Sequence, residues 1–251
     1  MLPATLLSLA VAAAWADDPA AETVAPSYPS SPPISIDDAE TVEKGHVEIN
    51  LTAGISAGRA SWEVETPLVD ANLGLTDNIH INAEIPYVLA AEGGQAGSGL
   101  GRGAFAVKVR VLHKDRVQLA FHPSVEFPPV PAISLDDAGS FSVRVPVVLD
   151  FAIGVGGAGA GIQLARTFTG ASATDTWDAT VGFATPLAES SVLMFDYTQE
   201  AAATVVFGEG WFEVGYVQDN LFGSAHLTLL SSLGRSTRNN SAAMLGVQIS
   251  I

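Results

Sequence analysis

Cysteine is absent from all 251 residues, so no disulfide framework holds this chain together. Basic side chains are few. Eleven Lys and Arg stand against 27 Asp and Glu, a formal net charge of -16, which removes any sequence-independent grip on phosphate backbones and excludes nucleic acid as an expected partner. No uninterrupted apolar stretch reaches the roughly 18 residues of a membrane-spanning helix. Charged residues are also sparse, at 15%, while 48% of the chain is apolar, which excludes disorder as its general state.

What is present is organised by position. An apolar run from Leu6 to Ala14 leads to the small-residue site Ala14-Trp15-Ala16 and then Asp17-Asp18, the pattern of a cleaved export signal over residues 1–16. No Lys or Arg precedes the run. Residues 17–44 begin rich in Pro, Ala and Ser without a period, and read as a flexible periplasmic leader. Residues 45–251 carry a period of two almost throughout.

The clearest unit is VDANLGLTDNIHINAEIPY, from Val69 to Tyr87. Val69, Ala71, Leu73 and Leu75 alternate with Asp70, Asn72 and Gly74; after Thr76-Asp77-Asn78, Ile79, Ile81, Ala83 and Ile85 alternate with His80, Asn82 and Glu84. Two strands with unlike faces around tight-turn residues form a hairpin. A bulge near Pro67 moves the apolar set from even positions (Trp62, Val64) to odd ones. Similar strands recur to Ile251, about twelve in all, although the alternation blurs from Asp150 to Gly161. Strands are read at 162–168, 177–185, 191–198, 211–217, 221–229 and 243–251. Connections alternate between short (Thr76–Asn78, His113–Arg116) and long (Ala90–Gly103, Pro128–Ser140). The fold class that follows is all-β: an up-and-down antiparallel transmembrane β-barrel of the outer-membrane type.

A soluble barrel would show the same alternation with its apolar face turned inward. Three features favour lipid outside. Charges sit in mid-strand on the polar face, at Glu84, Lys108, Arg110, Glu126 and Arg144. Trp62, Tyr87, Phe105, Phe127, Phe141, Trp177, Tyr197 and Trp211 gather towards the long-loop ends, resembling an interfacial girdle. Backbone polar groups in hydrocarbon need internal partners, and without a spanning helix a closed barrel supplies them. The five charges are the candidate lumen site, as a salt-bridged interior or as a constriction that filters solutes.

Other motifs carry less. Gly154 to Gly159 fits G-x-G-x-x-G, but IQLARTFTG after it lacks a helical period, so no helix N-terminus would meet a pyrophosphate and no cofactor is expected. His46, His80, His113, His122 and His226 show no metal-ligand spacing. No Ser-His set is singled out, and the chain is read as a non-enzyme.

The segments PLVDANLGLTDNIHINAEIPYV, GLGRGAFAVKVRVL and LAFHPSVEFP resemble the MetA-pathway phenol-degradation family of outer-membrane transporters, over about Asp37 to Pro128. The resemblance implies an exported barrel in the cell outer membrane, in contact with its lipid, that passes small solutes, aromatic or hydrophobic ones among them, and it supplies no catalytic residues. The chain ends VQISI instead of on the aromatic residue usual for such barrels. The expected function is passive uptake; the alternatives are a non-conducting structural or surface-binding barrel and a lipid-modifying enzyme.

Overall fold

The computed structural model describes residues 34–58, 61–92, 95–114, 116–128, 142–153, 158–169, 176–202, 208–224 and 226–251. The expected export signal, residues 17–33 of the leader, Phe141 and Gly154 to Gly157 lie outside them. The chain forms β1 (Val47–Ala57), β2 (Ser61–Thr76), β3 (Ile79–Glu92), β4 (Gln95–Leu100), β5 (Ala104–Lys114), β6 (Val117–Phe121) and β7 (Ser124–Glu126). It continues with β8 (Ser142–Ala152), β9 (Gly159–Thr169), β10 (Thr176–Ala188), β11 (Ser191–Ala202), β12 (Gly210–Gln218), β13 (Leu227–Ser236) and β14 (Ser241–Ser250).

Each strand pairs antiparallel with its neighbour, and β14 pairs with β1 from Glu48↔Ser250 to Ala57↔Ser241, which closes the sheet. β4 folds back on β3 as a hairpin beyond the wall. β6 and β7 are two pieces of one wall strand, broken at His122-Pro123 because proline has no N–H to give the ladder; both pair with β5 and β8. The wall is therefore a closed antiparallel barrel of twelve strands. Closure satisfies the last strand as well: Ile251 N–H donates to the Val47 carbonyl at 2.8 Å, and Val47 N–H to the Ile251 carbonyl at 2.9 Å.

The alternation sorts the faces as expected. On β3 and β5, His80, Asn82, Ala106 and Lys108 are buried, whereas Ile85 (57% exposed) and Val111 (53%) face outward. At residues 65–68 of β2 the ladder slips against β3, so outward residues change from Trp62 to Leu73 and Leu75, as the pattern around Pro67 requires. An apolar exterior fits lipid. Val181, near the middle of β10 and 52% exposed, tests this directly. Val181→Arg is expected to destabilise the barrel in bilayers by about 2–4 kcal/mol, the cost of a cation at mid-membrane depth on a lipid face; equilibrium unfolding from liposomes measures it.

Three expectations need correction. Residues 221–229 are not one strand: Leu221–Gly223 is a single 3-10 turn, Phe222 takes φ 55°, and the strand runs from Leu227 to Ser236. The outward set there is Leu227, Leu229, Ser231 and Leu233, and the serine interrupts the apolar pattern that would have marked it. Trp211 shares the inward face of Glu213 and Val217, leaving Phe212, 50% exposed, to face outward. The third is the largest. Residues 34–44 do not extend away as a flexible leader; they run up inside the barrel, with Ile36, Asp38, Ala39 and Val42 buried.

Candidate functional site in the barrel lumen

The segment 34–44 enters the lumen past the short-turn end. Gly74 makes room for it: a Cβ there would collide with the Glu43 carbonyl. Inside, the backbone of the segment, which forms no secondary structure, needs partners for its N–H groups, and inward side chains of the wall supply them. Val42 N–H donates to His80 Nδ1 (3.1 Å), Ala39 N–H to Asp150, Asp37 N–H to Gln163 Oε1 (2.8 Å), and Ile36 N–H to Asp196 Oδ2 (2.9 Å). Ser35 N–H reaches Glu213 Oε2 at 2.9 Å. These acceptors come from β3, β8, β9, β11 and β12, so the strap is tied to most of the circumference.

Its two sides meet unlike walls. Ile34 and Ile36 pack on an apolar strip of Ala184, Met194, Val217 and Leu230, and Gly182 lies so close that a Cβ would stand 2.8 Å from Ile36 Cδ1. The opposite side is ionic. Lys108, 1% exposed, donates to Asp37 Oδ1 at 2.8 Å and to Asp38 Oδ1 at 3.4 Å, while His122 Nδ1 bonds Asp37 Oδ2. Burial pushes the Asp37 carboxyl up, but the Lys108 ammonium and His122 outweigh it and hold it below the ordinary carboxylate range. Asp38 goes the other way: burial raises it, Lys108 opposes this, and the Asp37 charge adds to the rise. One ammonium is thus matched mainly to one carboxylate.

The five charges singled out in the sequence all lie on inward faces, yet they do not form one ring. Glu84, Lys108, Glu126 and Arg144 line a common chamber of about 260 Å³ above the strap. Arg110 is elsewhere, at the short-turn end, bonded to the Asp77 carbonyl (2.6 Å), Asn78 and Gln118. Within the chamber the charges have separate partners: Lys108 the strap, Arg144 Asp178 at 3.8 Å, and Glu126 Arg102 at 3.5 Å. The Glu84 carboxylate makes no hydrogen bond or ion pair with any described residue. The buried ion pair at Lys108 therefore runs from wall to strap, whereas Arg144–Asp178 runs from wall to wall.

Sequence reasoning missed Asp37, Asp38, His122 and the Asn50-Asp70-Asn72-Asn82 cluster, in which three amides donate to the Asp70 carboxylate. The available signals were the alternation Ile34-Ser35-Ile36 and the pair Asp37-Asp38 just beyond a Pro-rich stretch, and the alternate placement of Asp70, Asn72 and Asn82 on one face of the hairpin. The G-x-G-x-x-G stretch runs into a strand, β9, where a dinucleotide site needs a helix. Among the described residues no group of three or more His, Asp or Glu is arranged to hold a metal. A second hollow of about 610 Å³, bordered by Ile55, Val64, Leu233 and Leu245, opens on the lipid-facing side.

No family model and no curated protein matches the chain. Solved structures do. An outer membrane channel from Pseudomonas putida F1 superposes with a TM-score of 0.67 at 11% identity, over 87% of this chain and 100% of that one. The KdgM porin in complex with disordered oligogalacturonate gives 0.60 at 8%, over 81% and 99%. The NanC porin gives 0.55 at 9%, over 80% and 98%. At these identities the likeness is one of fold: this chain is built as outer-membrane porins and channels are.

Proposed function

We propose that the chain is an outer-membrane channel for passive uptake of small solutes, exported by residues 1–16 and closed at rest by residues 34–44. The observation that carries this reading is the sorting of faces: apolar side chains outward, and a polar chamber inside whose floor is residues 34–37 and not the wall itself. The fold likeness to porins supports the same reading, and the absence of a catalytic set in the sequence supports a non-enzyme.

The sequence resemblance to the MetA-pathway family of transporters stands as part of the proposal. It implies aromatic or hydrophobic solutes, and the apolar strip of Met194 and Leu230 is a lumen surface suited to them, but Ile34 and Ile36 cover it at rest. The buried strap also favours the second reading, a barrel that conducts nothing. Swelling of liposomes carrying the full-length protein, in neutral sugars of graded size, separates the two. Swelling that stops above a size limit supports a channel. No swelling, either by the intact protein or by variants with the strap loosened, makes it a non-conducting barrel.

A further inference from the structure

The chamber above the strap is not electrostatically balanced. Each cation that borders it is matched: Lys108 to Asp37, Arg144 to Asp178. Asp70 and Glu84, by contrast, stand opposite one another on β2 and β3 with no cation bonded to either. The three amides on Asp70 orient its carboxylate without neutralising it. Two adjacent carboxylates inside a low-dielectric wall repel one another, so they either hold a proton between them or draw a counter-cation in its place.

A second feature points to the same guest from the other end of the chamber. His80 is 1% exposed, and its Nδ1 accepts the Val42 N–H, so the ring proton sits on Nε2. His80 borders the chamber, and its buried Nε2–H has no acceptor among the described residues. His122 Nε2, from a ring whose centroid is 5.8 Å away, is likewise without a partner. A buried donor left without an acceptor costs about 1–3 kcal/mol, which a guest with a hydroxyl or carbonyl oxygen would recover.

We propose that the chamber is a binding subsite for a small cationic solute that also carries hydroxyl groups: its ammonium group sits on the Asp70–Glu84 pair and an oxygen accepts from His80. This deepens the channel reading and rests on it. The volume of about 260 Å³ is just under that of drug-sized pockets, so the guest is one small molecule, and Ile36 and Asp37 of the strap lie against it.

The test uses three sugars alike in shape and different in charge: glucosamine as its cation, glucose, and galacturonate. Calorimetric titration of the full-length protein in detergent at pH 6.5 should show saturable binding of glucosamine, at least tenfold weaker binding of glucose, and none of galacturonate. Glu84→Gln, which breaks no hydrogen bond among the described residues, should weaken glucosamine at least tenfold while leaving the thermal unfolding midpoint in place. Galacturonate binding as well as glucosamine, no binding of any of the three, or an unchanged affinity in Glu84→Gln overturns the subsite. Liposome flux of the same sugars separates it from the channel: binding without flux, in the intact protein and in strap-loosened variants, retains the subsite and ends the channel reading. Flux without charge preference or binding does the reverse.

Discussion

Lys108→Met is expected to release residues 34–44 from the lumen while the wall stays folded. The ammonium is 1% exposed and is the cation that faces both Asp37 and Asp38. Methionine keeps the length of the stem and removes the charge, leaving Asp37 with His122 as its ionic partner and the fully buried Asp38 without a cation bonded to it. Removing one partner of a buried pair costs about 3–5 kcal/mol, because the remaining charge loses its compensation. The wall does not bear that cost: β5 remains paired with β3, β6 and β7 by backbone hydrogen bonds that do not involve the side chain. The strap bears it, and it can escape by undocking into water. At 1.4 kcal/mol per tenfold, the docked-to-undocked ratio should fall by roughly two to three and a half orders of magnitude.

Hydrogen exchange reads this residue by residue. The N–H groups of Ile36, Asp37, Ala39 and Val42 each donate to a lumen side chain, and all four should lose protection together in Lys108→Met. Lys108→Arg, which keeps the charge, should preserve most of it. Sugar flux should rise in step with exchange. Unchanged protection in Lys108→Met would mean that the ionic contacts are incidental and the strap is held elsewhere.

The wall was legible in the sequence because an apolar exterior and a polar lumen impose opposite demands on successive residues. Val69 to Tyr87 shows this most cleanly, since its inward residues, Gly74 and Pro86 apart, are the polar Asp70, Asn72, His80, Asn82 and Glu84. The strand placed wrongly was β13, which runs from Leu227 to Ser236 and not over 221–229. Met194 and Leu230 face inward against Ile34 and Ile36, so strands there are apolar on both faces and their period disappears. The misplaced strand and the misread leader are one effect. A short segment that fills a lumen gives no periodic signal of its own, because its backbone is bonded to scattered side chains and not to a ladder. The charged set was legible as inward-facing, but its pairing was not, because Lys108 takes its partners from a segment about 70 residues away.

Ile36→Asp should release the same strap from its other side, and the combination with Lys108→Met tells whether the strap acts as one unit. Ile36 is fully buried against Met194, Ala184 and Leu230; truncating such a side chain alone costs about 2–5 kcal/mol. Aspartate adds a second penalty, since its charge would be set down beside Asp196, the acceptor of the Ile36 N–H, and near Glu213, which already holds Ser35. If residues 34–44 dock as one body, the first substitution already empties the lumen and the second has nothing left to release. Exchange at Val42 in the double variant should then match the faster single variant, a departure from additivity of several kcal/mol. Val42 is the informative amide, because it is bonded to His80 near the short-turn end, far along the strap from Ile36. If Ile36→Asp frees Ile36 and Asp37 while Val42 stays protected, the strap undocks in two steps, and the chamber could open to the outside while the short-turn end remains closed.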